Sequence, residues 1–228
     1  MNSIVWLSDD EAIAFPPVAQ ALTEPDGLLA AGGDLSPARL LNAYERGIFP
    51  WYAEGQPVLW WSPDPRAVLF PGELHVSRSL RKRMRTGSVE TRLDDAFETV
   101  IAECAAPRSS GDGTWLTSEM IVAYTRLHRL GYAHSVECWR AGQLVGGLYG
   151  VCLGQVFFGE SMYSRETDAS KIALVRLVGE ARARGIALID CQIASPHLQS
   201  LGSTLIPRAE FVALLSKHCH PQTPGRWE

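Results

Sequence analysis

Five cysteines (Cys104, Cys138, Cys152, Cys191 and Cys219) among 228 residues are odd in number and widely spaced, with no C-x-x-C pair. That pattern suits neither a disulfide framework nor a zinc ribbon, and a reducing cytoplasm is the expected home. There is no Walker loop and no G-x-G-x-x-G to cradle a nucleotide phosphate. His134, His197 and the pair His218/His220 have no ligand spacing with a carboxylate, so no metal is expected and they read as surface or core histidines. The first ten residues have no basic segment and include Asp9 and Asp10, which does not read as a secretory signal. Residues 141 to 159 carry no charge, but six glycines and two glutamines in that stretch argue for buried strands and against a lipid-spanning helix. Net positive charge is lacking as well. With 21 Lys and Arg against 25 Asp and Glu, contact with nucleic acid has to come from a local patch.

What is there supports a packed core: 46% of residues are apolar and 20% charged, at a length that suits one large domain or two small ones. Glu24 to Asp34 is punctuated by Pro25, Gly27, Gly32 and Gly33 around a short apolar strand or loop. A helix follows, with Ser36 as N-cap, Pro37 in the first turn, Leu40, Leu41 and Tyr44 as its stripe, and Gly47 at its end. From Ile48 to Arg66, aromatics alternate with Pro50, Gly55, Pro57, Pro63 and Pro65, which excludes a regular helix. Further helices are expected over Asp95 to Ala105, after a Thr117 cap, from Ala169 to Arg184 with Asp168 as cap, from Ser195-Pro196, and over Pro207 to Lys217. A polar loop is expected over Pro107 to Gly113. Strands are expected over His134 to Arg140, Leu144 to Val151 after an Ala141-Gly142 turn, Gln155 to Met162, and Ala187 to Ile193. The first three suit antiparallel hairpins. The fold class is therefore α+β, an N-terminal portion to about residue 70 followed by a sheet covered by helices.

Three groups of residues could carry chemistry. Arg78, Arg81, Lys82, Arg83 and Arg85 crowd into eight positions, and Arg78, Arg81, Lys82 and Arg85 would share one side of a helix. This is either a solvated face or a stripe that binds phosphates. Trp51, Trp60, Trp61 and Trp115 are core residues or a stacking platform for bases. Period two places Phe158, Glu160 and Met162 on one strand face, where a carboxylate must be paired, protonated or functional. The same period puts Asp190 and Gln192 on one face and Ile189, Cys191 and Ile193 on the other. Three polar groups on neighbouring strands could converge on an amine. Cys191 as a nucleophile lacks both an elbow and a local histidine.

The segments GGDLSPARLL, WWSPDPRAVL, SRSLRKRMR, GTWLT, FFGESMYS, DASKIAL and LIDCQI, in order, resemble the bacterial leucyl/phenylalanyl-tRNA–protein transferases. The resemblance runs from about residue 14 to 215. It implies a small N-terminal domain, residues 1–70, and an N-acetyltransferase-like catalytic domain, residues 71–228, with a mainly antiparallel sheet. It also implies transfer of Leu or Phe, and Met less well, from aminoacyl-tRNA to acceptor proteins with N-terminal Arg or Lys, marking them for the N-degron pathway. No cofactor, no acetyl-CoA and no membrane is implied, and the sequence has no Q/R-x-x-G-x-G/A pyrophosphate turn leading into a helix. Carried over by residue, Glu160, Asp190 and Gln192 form the polar centre. Trp51, Trp115, Tyr44 and Tyr124 surround the aminoacyl-adenosine end. Phe157, Leu174, Leu177 and Ile189 form the pocket for the donor side chain, and the basic stripe grips the acceptor stem. Leu177 and Ala181 stand where some relatives carry aromatics, which implies a roomier pocket, and Ser195 stands where some carry asparagine.

Overall fold

Apolar runs too short to bury themselves alone are assembled here into two sheets, seen in a computed structural model that describes residues 4–8, 14–106, 116–220 and 225–227. In chain order the elements are β1 (Val5–Leu7), β2 (Leu28–Gly32), α1 (Pro37–Glu45), β3 (Phe49–Pro50), β4 (Leu59–Trp61), β5 (Arg66–Leu69), α2 (Arg78–Thr86), β6 (Glu90–Leu93) and α3 (Phe97–Ala105). They continue with α4 (Ser118–Arg129), β7 (Ala133–Arg140), β8 (Gln143–Leu153), β9 (Val156–Ser164), α5 (Ala169–Arg184), β10 (Leu188–Gln192), α6 (Pro196–Gln199), β11 (Thr204–Ile206) and α7 (Arg208–His218). The smaller sheet has the order β1-β2-β4-β3, the larger one β11-β5-β10-β9-β8-β7-β6. Every neighbouring pair in the larger sheet is antiparallel except β9 and β10. The fold is α+β, as the pattern of elements predicts.

Local chemistry explains the boundaries. Ser36, Ser77 and Thr117 each accept a hydrogen bond from the backbone N–H three residues on, satisfying a donor that the first helical turn leaves free. The two-residue connection between β7 and β8 has positive φ at Ala141 (48°) and Gly142 (75°), the backbone twist that a tight hairpin needs. The uncharged stretch after it forms β8 and β9, as its glycines and glutamines predict. Among the described residues no helix is long and apolar enough to cross a membrane.

Two expectations are corrected. Asp168 makes no side-chain cap on α5; it adopts φ 66° and turns its carboxylate to Arg83 (3.2 Å) and Lys171 (3.1 Å) instead. The two cations outcompete the helix N–H groups for its oxygens. Phe158 and Met162 do not share a face. Tyr149 opposes Ser161 while Gly150 opposes Gly159, so Glu160 is an extra residue in a β-bulge, and parity along β9 inverts there. Phe158 accordingly joins the core under α1 and α4, and Met162 packs on the core under α5. The polar loop over Pro107 to Gly113 lies outside the described residues.

The larger sheet thus has a core on each face. One gathers Tyr44, Phe97, Tyr124, Leu127 and Phe211 from four helices; the other gathers Leu174, Leu177, Val178 and Ala181 from α5. The α5 helix can lie this close to β8 because position 146 is glycine: a Cβ there would sit 2.4 Å from Ala169 Cβ. Gly146→Val should therefore cost about 1–3 kcal/mol by overpacking. A lowered urea midpoint with an unchanged slope would show it, and an unchanged midpoint would contradict the packing described.

Candidate active site

The parallel pairing of β9 with β10 lasts three residues, Val156, Phe157 and Phe158 against Leu188, Ile189 and Asp190. Beyond it, β9 runs on to Ser164 while β10 ends at Gln192, and the two strands part. A cavity of about 860 Å³ opens at the split. Phe157, Leu174, Leu177 and Ile189 line its apolar part, and Glu160, Asp190 and Gln192 stand at its polar end. Of the residues expected to cooperate, these seven meet at one cavity. Glu160 and Gln192 also line a smaller groove of about 150 Å³ together with Phe49, Pro50, Trp51 and Ile193. The pair therefore separates two recesses.

Glu160 is 7% exposed. Its Oε2 accepts from the Tyr124 hydroxyl (2.8 Å), and its Oε1 accepts from Gln192 Nε2 (2.8 Å). Tyr124 spends its one hydroxyl hydrogen on Glu160, so Tyr44, 2.6 Å away, is the donor to Tyr124. Tyr44 and Tyr124 are themselves completely buried and form a line of phenols behind the carboxylate. Burial pushes Glu160 up to about 7, with the charge of Asp190 acting the same way and the phenols and Gln192 opposing it. Since the folded state holds this proton more tightly than an exposed glutamate would, Glu160 erodes stability as pH rises from about 4.5 to about 7. A group that stability does not favour is a functional candidate.

Asp190 is also buried, but its surroundings differ. Arg66 from β5 donates to both of its oxygens, Nε to Oδ1 at 2.8 Å and Nη2 to Oδ2 at 2.7 Å, and the Gln192 backbone N–H adds a third bond to Oδ1 at 2.9 Å. The guanidinium lies between the rings of Phe49 (4.8 Å) and Phe211 (4.6 Å), and its remaining Nη1 donates to the Gly47 carbonyl. Register slips between Asp190 and Gln192, and Gln192 adopts φ 60°. Simple alternation, which puts the two side chains together, is thereby broken: Asp190 binds the Gln192 backbone, and the Gln192 carboxamide swings to Glu160. Because its NH2 end donates to a carboxylate, the carboxamide oxygen is left for another donor.

Other expected residues fall around this centre. Trp51, 39% exposed, borders the smaller groove and leans on Trp61, whereas Trp60 is core. Trp115 lies outside the described residues. The basic run forms α2, anchored by buried Leu80, with Arg78, Arg81, Lys82 and Arg85 exposed on it. Arg83 turns the other way, onto Asp168 and the Thr167 carbonyl at the start of α5, whose Ser170 lines the large cavity. The Cys191 thiol is pushed far up by burial and by Asp190, which removes it as a nucleophile. His134 is a core residue bound to Asp94 (2.8 Å), while His197 lines the cavity. Sequence reasoning missed Arg66; an arginine between Pro65 and Ala67, two residues after Asp64, carries no signal of a buried partner 124 positions away.

An apolar cavity ending in a buried carboxylate and carboxamide, beside an exposed cationic helix, is equipment for holding two substrates in register, the business of a transferase. The family model described as "Leucyl/phenylalanyl-tRNA protein transferase" matches residues 68–216, and that of the family's N-terminal domain matches residues 33–64. The chain is 60% identical over 224 residues to the leucyl/phenylalanyl-tRNA–protein transferase of Stutzerimonas stutzeri, covering 98% of this chain and 99% of that one. It is 61% identical over 214 residues to the protein of that name from Aromatoleum aromaticum, covering 93% and 90%. Among solved structures it is similar to a GCN5-related N-acetyltransferase from Kribbella flavida (TM-score 0.41, 13% identity, 72% of this chain and 58% of that one). The chain belongs to the leucyl/phenylalanyl-tRNA–protein transferase family.

The ion pair generates a stability prediction. Arg66→Met leaves Asp190 buried without its cation and should cost about 3–5 kcal/mol, whereas Arg66→Met with Asp190→Leu, which removes both charges, should recover much of that loss. Denaturant unfolding of the single and double variants checks it; equal losses in both would mean that the pair is not the source.

Proposed function

We propose that this transferase moves Leu or Phe, and Met less well, from aminoacyl-tRNA to the N-terminal Arg or Lys of acceptor proteins in the cytoplasm, marking them for degradation. The observation that carries the reading is the single cavity in which an apolar wall of Phe157, Leu174, Leu177 and Ile189 ends at Glu160 and Gln192. Burying a Leu or Phe side chain against such a wall is worth about 1.5–3 kcal/mol, enough to select an apolar donor. The pocket has no carboxylate or cation on its α5 wall, where Leu174 and Leu177 project. Donor side chains that are unbranched or γ-branched fit it, and β-branched Ile and Val are excluded by shape.

The chemistry is aminolysis of an activated ester, which runs downhill once the amine and the carbonyl carbon are held together. Aligned reactants reach effective molarities of about 10⁵–10⁸ M, so positioning supplies most of the acceleration. Asp190, with all its described contacts directed at Arg66 and the Gln192 backbone, sets the place of Gln192. The free oxygen of the Gln192 carboxamide accepts from the incoming α-amine, and Glu160 offers negative charge to the cationic acceptor. Trp51 suits stacking with the terminal adenine, an interaction worth about 1–3 kcal/mol per base, and the resemblance gives Trp115 the same role. Arg78, Arg81, Lys82 and Arg85, with Arg83 braced on Asp168, supply the phosphate-binding surface for the acceptor stem. Tyr44 and Tyr124 act through Glu160. The reaction needs no cofactor and no acetyl-CoA.

Incubating a peptide that begins with Arg with leucine-charged tRNA should add one leucine to its mass; labelling from acetyl-CoA without RNA would instead identify an acyl-CoA transferase. Asp190→Asn should lower transfer at least a hundredfold with tRNA affinity nearly unchanged. Lys82→Ala combined with Arg85→Ala should weaken aminoacyl-tRNA binding and flatten its salt dependence by about two counterions' worth of slope, since each phosphate contact contributes roughly 0.7–0.9 to it. A slope identical to that of the parent protein would remove α2 from the RNA surface.

A further inference from the structure

Aminolysis has a proton to dispose of, because the acceptor's α-amino group enters largely as an ammonium and only its neutral form attacks. Two buried carboxylates stand nearby. The Asp190 oxygens already receive three N–H donors, two of them from a guanidinium, and point toward Arg66. Glu160 has one donor on each oxygen, from Tyr124 and Gln192, which leaves each oxygen capacity for another. It also lines both the apolar cavity and the smaller groove beside Trp51. The bulge in β9 gives it that place, since the extra residue pushes out of the ladder at the point where β9 leaves β10.

We infer that the Glu160 carboxylate, and not Asp190, takes the proton that the acceptor's α-ammonium loses before it attacks the ester. The inference rests on the proposed transfer reaction and adds a proton route to it. The ammonium brings three hydrogens. One passes to Glu160, leaving a neutral amine whose lone pair bonds to the ester carbonyl carbon. As the bond from that carbon to the ribose oxygen breaks, the second hydrogen goes with the leaving oxygen as a hydroxyl. The third stays on the new amide nitrogen, and Glu160 returns its proton to solvent when product leaves.

The groups around Glu160 suit that role. Those that face it are Tyr44 from α1, Tyr124 from α4, Tyr149 from β8 and Asp190 from β10, with Arg66 of β5 behind Asp190. Burial holds the three phenols well above their ordinary range, so they stay protonated near neutral pH and neither give nor take this proton. Burial holds Glu160 near 7, about one unit below an α-ammonium at roughly 7.7–8.0. A base that close to its substrate exchanges protons readily near neutrality.

The test is the pH dependence of transfer, measured as kcat with saturating leucine-charged tRNA and an Arg-initiated peptide. The parent protein should show a rising limb near pH 7. Tyr124→Phe deletes one donor that favours the carboxylate while keeping the ring, and should shift that limb upward by half a unit or more. Glu160→Gln should abolish the limb and lower the rate a hundredfold or more at pH 7, the residual rate following the acceptor amine. Asp190→Asn should lower the rate and keep the limb, moved downward because the charge that helps raise Glu160 is gone. A limb retained near pH 7 in Glu160→Gln, a limb lost in Asp190→Asn, or a limb unmoved in Tyr124→Phe would overturn the assignment. If the parent protein adds no leucine at any pH, the transfer reaction itself is wrong, which is a separate failure.

Discussion

The contact on which the site depends is the buried pairing of Arg66 with Asp190. Arg66 is 1% exposed and Asp190 not at all, so both have lost their water and each relies on the other. Such a pair adds little to stability compared with apolar residues of the same size, and is of use where it fixes geometry. Here one planar group fixes four things at once: the turn that ends α1 through the Gly47 carbonyl, β3 through Phe49, α7 through Phe211, and the end of β10 through Asp190. The last of these holds Gln192 in a backbone conformation that a non-glycine residue seldom adopts.

Two carboxylates on neighbouring strands are thus given opposite surroundings. Asp190 faces a cation with a matching fork of donors; Glu160 faces phenols and a carboxamide, which offer hydrogen bonds but no compensating charge. The first is a fixed strut. The second is a carboxyl that no cation neutralises, held ready to gain or lose a proton next to a cavity, the arrangement that pairs of acidic groups need if they are to do different work within one site.

Much of the architecture was legible because local signals agreed with one another. The capping Ser36 and Thr117, the α5 helix between residues 169 and 184, and the β7–β8 hairpin at Ala141-Gly142 were all readable from spacing. The grouping of Phe157, Leu174, Leu177 and Ile189 around one cavity was expected from the resemblance alone, and no periodicity pointed to it. What escaped was non-local. Strand β6, with the sequence Glu-Thr-Arg-Leu, and strand β11, three residues long, are strands only because neighbours pair with them. The parallel partnership of β9 and β10 depends on the crossover through α5, and the shift of parity at Glu160 on a bulge that no composition announces.

That bulge makes strand β9 unequally tolerant of length changes and substitutions. A side chain exchanged at Ser161 or Met162 alters one contact, since the backbone ladder stays in step. Loss of Glu160 itself would do something else: Ser161, Met162 and Tyr163 would keep their partners Tyr149, Leu148 and Gly147 and their sides of the sheet, and the ladder would run on without the carboxylate. Both cores would survive one missing codon there, so it is the carboxylate beside the cavity, and not the packing, that holds the residue count in this stretch.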